Sequence, residues 1–332
     1  VNQPEETGLI QKYLAPLAGP SGLGLSDDAA CYTPTPGHDL VITTDTIVEG
    51  VHFLPSDTPF DIAIKAITVN LSDLVAKGAE PVGYQVALSL PQKPNEEWFA
   101  KFARGLGEQA SGLLMGGDLT VSKGGPMTIS VTAFGEVPTG KMIRRNGAKI
   151  GDDVYVAGHI GTSALGLKCA LDSVWRNGSG LLPEEIKELL FHYASPRVVE
   201  ANIIAPLIRT YATASLDVSD GLAIDLERLC SASNVGAKIT VKSIPLHDLT
   251  RRMVKEGQLT MQDVVTGGDD YVALFTVPSD LTQERKSELN ENCYHIGKIT
   301  AAKKGVAFSI GFGRSLSLGG RTGYDHFSDK QN

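Results

Sequence analysis

Six short stretches of the chain put a carboxylate beside small or hydroxyl-bearing residues. They are SDDAA (26–30), TTD (43–45), NLSDL (70–74), GGD (116–118), DVSDG (217–221) and GGDD (267–270). Singly, each has an ordinary structural reading: Ser-Asp-Asp as a turn or helix cap, Gly-Gly-Asp as a loop, Asp220 as an N-cap ahead of a helix. As a set they carry more. Hard divalent cations take oxygen ligands, and Mg²⁺ combines one or two carboxylates with phosphate oxygens and waters. Acids gathered in one cleft repel each other and are costly to bury unless cations neutralise them. The glycine pairs 116–117 and 267–268 would let a ligand approach the backbone closely. The set is what a multi-metal nucleotide-phosphate site needs.

TTDTIVEGVHF (43–53) follows the apolar run Leu40-Val41-Ile42 and reads as a strand with Asp45 inside it, although aspartate is disfavoured there. In a strand, Thr43 and Asp45 point to one face and Thr44 to the other. Glu49 and His52 fall in the loop beyond, where Glu49 has no evident role. A helix over 60–78 is predicted from Ala63, Ile67, Leu71 and Leu74, with Gly78 and Pro81 ending it. Asn70 and Asp73 then share a face away from Ile67, Leu71 and Leu74, for which a solvated polar face is the ordinary alternative to a role in the site.

The elements that must position these acids alternate. A short helix is expected over 9–18, a Gly/Pro-rich connection over 16–25, a strand over 82–90, a helix over 96–114 running into a GGD loop, and a half-buried strand over 127–134. VPTGKMIRRNGAKIGDD (137–153) reads as a boundary. Beyond it, strands are expected at DVYVAG, ASLDVSD, AKITV, YVALFTV and YHIGKIT, with helices at GTSALGLKCAL, around 197–211 and at LAIDLERLC. Alternating strands and helices in both halves give an α/β (α+β) class in two domains, near 1–137 and 150–332, joined by 138–149.

Of 332 residues, 42% are hydrophobic and 20% charged, with a net charge of −8, and no basic stripe suggests nucleic acid as a partner. Four scattered cysteines without a CxxC give neither a zinc motif nor a disulfide scaffold. No apolar run is long enough to span a bilayer, and the first residues lack a signal-peptide pattern, so a cytoplasmic protein is expected. There is no GxxxxGK[ST] loop, kinase HRD or DFG, or GxSxG.

In order and spacing, DDAA, TTDTIVEGVHF, NLSDLVAKGAEP, GGD, RNGAKIGDDVYVAG, SPR (195–197), LDVSDGL, GGDDY and GYDHF resemble the thiamine-monophosphate kinases. This family belongs to the ATP-binding group that includes aminoimidazole-ribotide and selenophosphate synthetases. The resemblance runs from GLI (8–10) to GYDHF (323–327). It implies ATP and thiamine monophosphate as substrates, thiamine diphosphate as product, and several Mg²⁺ ions. It also implies a homodimer in which N-terminal sheets pair in a barrel-like interface, with the site in the cleft beside the C-terminal domain.

By motif position, the resemblance makes Asp28, Thr43, Thr44, Asp45, Asp73, Asp118, Asp217 and Asp220 metal ligands, with Asp27 the neighbour of the favoured Asp28. Gly117, Asp118, Arg145 and Ser219 would contact nucleotide, and His52, Asp269 and Tyr324 the thiamine phosphate. The chain departs from the family at Ser26, where glycine is usual, at Glu6-Thr7, where Glu-Phe is usual, and at GGDDYV, where GGEDYE is usual. Asp269 is one methylene shorter than glutamate, so its reach implies a bridging water.

The expected chemistry is direct in-line transfer of the γ-phosphoryl group to a phosphate oxygen already charged at neutral pH, with no covalent nucleophile. Three other readings stand beside it: another synthetase of the group, a metal-dependent phosphohydrolase, and a non-catalytic nucleotide or thiamine-phosphate sensor. Cys31 comes after the Asp-Asp pair, which disfavours selenophosphate synthesis.

Overall fold

A computed structural model describes residues 5–198, 201–320 and 322–324. The chain forms two compact units, Val1–Leu74 with Ala79–Met142, and Val75–Gly78 with Ile143–Asn332.

The first unit opens with α1 (Glu5–Leu9), which runs into a π-helical turn at Ile10–Leu14 and 3₁₀ turns at Ala15–Leu17 and Pro20–Leu25. The short helix expected over 9–18 is thus a succession of tighter and wider turns. There follow β1 (His38–Val48), α2 (Pro59–Ala76), β2 (Glu80–Leu90), α3 (Glu96–Ala110), β3 (Leu114–Val121) and β4 (Thr128–Pro138). The sheet order is β1-β4-β2-β3, with β1 and β3 as edges; β1–β4 and β2–β4 pair antiparallel, β2–β3 parallel. Within one chain this sheet is open.

Two expectations change here. Asn95 caps α3 by accepting from the Trp98 N–H, but the helix stops at Ala110, where Gly112 at φ +78° turns the chain. GGD is then part of strand β3 rather than a loop. The polar face of α2 is not solvated: Asn70 is 0% exposed and Thr68 and Ser72 are buried with it. Ile62, Ile64, Ile67, Val69 and Leu74 leave no wide polar stripe, and a helix apolar nearly all round is a buried one.

The second unit contains β5 (Asp153–Ala157), α4 (Thr162–Leu171), α5 (Ser173–Gly178), α6 (Pro183–Ala194), α7 (Ala201–Tyr211), β6 (Ala214–Val218), α8 (Leu222–Ser233), β7 (Val235–Thr240), α9 (Asp248–Lys255), α10 (Met261–Thr266), β8 (Val272–Val277), α11 (Gln283–Asn292), β9 (Tyr294–Ala301), β10 (Val306–Gly311) and β11 (Arg314–Ser315). They form a seven-stranded sheet, β11-β10-β7-β9-β5-β8-β6. β5 and β8 are buried along their whole length, as central strands of a covered sheet must be. Val154, Val156, Leu216, Leu274 and Ile299 pack with Leu222, Leu226 and Leu229 of α8 in one core. The sheet leaves β6, with Asp217 near its end, on an edge.

Candidate active site

β1 presents Thr43 and Asp45 toward α2. The Thr43 hydroxyl donates to Asp73 Oδ2 at 2.5 Å, and the Asp45 N–H donates to Asn70 Oδ1 at 3.0 Å. Asn70 completes its bonding by donating to the Ala66 carbonyl, so the buried amide is satisfied and fixes the strand against the helix. Thr44 points the other way, and its hydroxyl pairs with Thr132 Oγ1 at 2.9 Å on the open face of the sheet. Its side chain is therefore not gathered with Thr43, Asp45 and Asp73.

A second cluster lies at the opposite edge. A cavity of about 290 Å³ is lined by Asp27, Asp28, Gly116, Gly117 and Asp118 together with apolar residues that include Leu25 and Met115. Asp27 Oδ1 accepts the Asp28 N–H, which leaves the Asp27 carboxylate turned back on its own backbone. Pairing across the sheet runs Asp45–Val131–Val86–Gly117. Three strand spacings of about 4.8 Å separate Asp45 from Gly117 by roughly 14 Å. One Mg²⁺, with ligands about 2.1 Å away, cannot be shared by Asp45 and Asp118 of the same chain. The single cluster expected from the sequence is resolved, within this unit, into two stations.

Gly117 is demanded by the fold. A Cβ there would overlap the Val86 carbonyl of the neighbouring strand, whereas one on Gly116 would meet nothing closer than Gln85 at 3.8 Å. In the second unit a Cβ on Gly268 would come within 2.5 Å of the Ser219 carbonyl. The close approach expected for a ligand at Gly117 and Gly268 is used by the protein's own backbone.

In the second unit two motifs, GGDDY and GYDHF, are stitched to the end of β6 and the loop that leaves it. The Asp269 N–H donates to the Ser219 carbonyl, Tyr271 N–H to the Val218 carbonyl, and Tyr324 N–H to the Asp220 carbonyl, at 2.8, 2.8 and 3.0 Å. Asp217, Ser219, Asp220, Asp269 and Tyr324 therefore meet in one neighbourhood; Asp325–Phe327 of GYDHF lie outside the described residues. Asp269 adopts φ +69° and Tyr271 φ +49°, and the Tyr271 hydroxyl donates to Asp269 Oδ1 at 2.8 Å. Positive φ in two non-glycine residues is a strain that function often explains.

Asp225, which no sequence motif singles out, organises this loop. Its Oδ2 accepts the N–H groups of Ser219, Asp220 and Gly221 at 3.1, 3.0 and 3.2 Å. Arg228 joins it, with Nη1 at 2.7 Å from Asp225 Oδ1 and 2.5 Å from Asp220 Oδ2. Burial, with the neighbouring Asp220 charge, pushes Asp225 up to about 6. The one cue in the sequence is an acid in the first turn of a helix with an arginine three residues on. Asp270 faces inward instead of beside Asp269: its Oδ2 accepts the Gly161 N–H at 2.8 Å at the start of α4, and burial pushes it up to about 8.

Arg145 is exposed and borders a shallow depression of about 430 Å³ with Glu227 and Arg228. His52 Nδ1 accepts the Val48 N–H at 3.0 Å, which puts the proton of the neutral ring on Nε2. The buried Lys65 donates to the His52 carbonyl at 2.9 Å and holds that loop. Glu49 proves to be structural. Its N–H donates to the Met127 carbonyl and its Oε2 accepts the Met127 N–H, closing the end of the β1–β4 ladder.

The donor sets are carboxylates with a hydroxyl, hard oxygens that fit Mg²⁺ in chemical type. Arg228 takes one of the two Asp220 oxygens.

Comparison with known proteins places this architecture. The AIR synthase related protein N-terminal domain matches residues 26–137, and the corresponding C-terminal domain residues 149–309. The thiamine-monophosphate kinase of Escherichia coli (strain K12) is 35% identical over 320 residues, covering 92% of each chain. The crystal structure of thiamine-monophosphate kinase from Stenotrophomonas maltophilia K279a is 33% identical, with a TM-score of 0.74 over 85% of this chain and 89% of that one. The solved complex of AaThiL with AMPPCP and TMP is 29% identical, with a TM-score of 0.71 over 93% of both.

Proposed function

The chain belongs to the thiamine-monophosphate kinase family of AIR synthase related proteins, and on that premise we propose that it transfers the γ-phosphoryl group of ATP to thiamine monophosphate, giving ADP and thiamine diphosphate. What carries this reading is the likeness over 92% of the chain to a curated kinase of that name, together with a relative solved with AMPPCP and TMP. Measuring ADP formation with and without thiamine monophosphate tests it. ADP made only with the acceptor supports the kinase, and phosphate released without it supports a hydrolase.

Transfer is in line, and no side chain becomes a covalent nucleophile. Asp28 and Asp118 offer oxygens at one station, Thr43, Asp45 and Asp73 at a second, and Asp217 and Asp220 at a third, where Mg²⁺ would be held. Thr44 contributes through its backbone, since its side chain faces the other side of the sheet. When bound, Mg²⁺ offsets the repulsion between two phosphates and the charge of the transition state. Asp73 accepts the Thr43 proton, so the Thr43 oxygen turns lone pairs outward. Arg228 holds Asp220 in place and, with Arg145, brings guanidinium charge to a depression suited to phosphate oxygens.

Gly117, Asp118, Arg145 and Ser219 contact nucleotide in this reading. His52 donates from Nε2–H to the acceptor phosphate, Asp269 meets the substrate, and Tyr324 lies under the cationic thiazolium, where an aromatic face attracts positive charge.

The open face of the first sheet pairs with a second copy. Ile42 is 57% exposed on it, beside Leu40 and the hydroxyl pairs Thr44–Thr132 and Thr46–Ser130. A sheet face that exposes Ile42 and Leu40 beside paired hydroxyls suits cover by another protein surface. Sedimentation would show a dimer for the wild type and a monomer for Ile42→Asp. No described helix is long and apolar enough to cross a membrane. We assign the reaction to the cytoplasm, where its phosphoryl donor is made.

A further inference from the structure

Seven histidines occur in the chain, and three of them converge in the second unit, none of them part of the six aspartate motifs. Glu188 and His192 stand four apart on α6 and so share one face. His247 caps α9, with its Nδ1 toward the Leu249 N–H at 3.4 Å and its Nε2 3.2 Å from Glu188 Oε1. One ligand atom from each of Glu188, His192 and His247 lies within 4.8 Å of the others. Among the described residues this is the only group of three or more His, Cys, Asp or Glu side chains so placed. His159, in the turn after β5, adds a third ring, its centroid 5.7 Å from that of His247, while His192 lies 5.1 Å from His247.

We propose that Glu188, His192 and His247 form a binding site for a borderline transition-metal dication of the Zn²⁺ type, with His159 or water in the fourth position. The chemistry differs from that of the aspartate stations. Imidazole nitrogens select Zn²⁺ and its neighbours over Mg²⁺, and two His with one Glu is an established zinc ligand set. Ligand atoms within 4.8 Å of one another need only small side-chain rotations to close on a Zn²⁺ with bonds of about 2.0–2.2 Å. Burial lowers the pKa of both His159 and His192, which favours their neutral rings; at His247, binding through Nε2 moves the ring proton to Nδ1 and gives up the 3.4 Å contact with the Leu249 N–H. Asp248 and Arg251 of α9 flank His159 with opposite charges.

The bound ion would clamp α6 to the first turn of α9. Ser163 already ties the α6 end to α4 by donating to the His192 carbonyl at 3.2 Å. The site is therefore a structural staple of the second unit, separate in ligands and in metal preference from the phosphoryl-transfer stations.

Metal-stripped full-length protein, held in excess Mg²⁺, is titrated with Co²⁺ and then Zn²⁺. We expect one equivalent of Co²⁺ to give the visible bands of a tetrahedral nitrogen–oxygen site, displaced by Zn²⁺, and the melting temperature to rise on Zn²⁺ binding. His192→Ala and His247→Ala should lose both signals, His247→Ala with a lower metal-free melting temperature because it also removes the α9 cap. Glu188→Gln, on a half-exposed side chain that the fold does not need, should bind more weakly and serves if either histidine variant fails to fold. Absence of stoichiometric Co²⁺ in the wild type overturns the proposal, as does binding by Glu188→Gln and the histidine variants equal to wild type.

Discussion

The Thr43 hydroxyl, on an edge strand, donates to Asp73 Oδ2 on the facing buried helix at 2.5 Å, and this bond sets the direction of both oxygens. With Asp45 they form the station most firmly built into the fold, because Asn70 anchors the same strand to the same helix. Removing either partner should misorient the other. Thr43→Ala and Asp73→Asn are each expected to lower kcat on the order of a hundredfold with little change in melting temperature. Steady-state kinetics across a Mg²⁺ series would check this, and a shift of the half-saturating Mg²⁺ to higher concentration should accompany the loss.

Asp269 and Tyr271 make a second test. Both hold positive φ, and the tyrosine hydroxyl orients the carboxylate. If Asp269 meets the acceptor, Asp269→Asn should raise KM for thiamine monophosphate about tenfold or more and leave KM for ATP near the wild-type value. Tyr271→Phe should do the same to a smaller degree. Equal changes in both KM values would mean that the loop as a whole had moved.

Asp225 predicts a pH dependence of stability. Its carboxyl is raised from 3.8 in the open chain to about 6 in the folded protein. The folded state then holds the proton more tightly, so the group favours folding below about pH 4 and loses that contribution as pH rises through 6. The unfolding free energy of wild type minus that of Asp225→Asn should fall by up to about 3 kcal/mol between about pH 4 and 7. Denaturant unfolding of both proteins at several pH values would measure it; a difference that grew with pH would contradict the sign.

The two glycines of β3 separate packing from ligand approach. Gly117→Ala should cost about 1–3 kcal/mol, because a methyl group there has to displace the β2 backbone. Gly116→Ala has room and should cost far less. Thermal melts of both variants without nucleotide decide the matter.

The strands β1, β2, β4, β6 and β8 and the helix α2 are legible in the sequence because alternation, short apolar runs or helical spacing marks each of them and survives in the fold. β3 is not, since Gly116, Gly117 and Asp118 mimic a loop composition and only the presence of β2 beside them reveals why Gly117 is glycine. The polar face of α2 reads as solvated because Asn70 satisfies its own amide against Ala66 and Asp45, which no periodicity reports. The acids are legible as a set, but their separation into stations depends on strand order. Asp225 hides inside an ordinary helix pattern, and His192 and His247 come together only through tertiary structure.

The most direct test of phosphoryl transfer follows the label from γ-labelled ATP in the presence of Mg²⁺ and thiamine monophosphate, separating the products by chromatography. Label is expected in thiamine diphosphate, in amount equal to the ADP formed, with none transferred by Asp45→Asn at the Mg²⁺ concentration that saturates the wild type. Label recovered as inorganic phosphate whether or not the acceptor is present, or full transfer by Asp45→Asn, would contradict metal-assisted transfer to thiamine monophosphate.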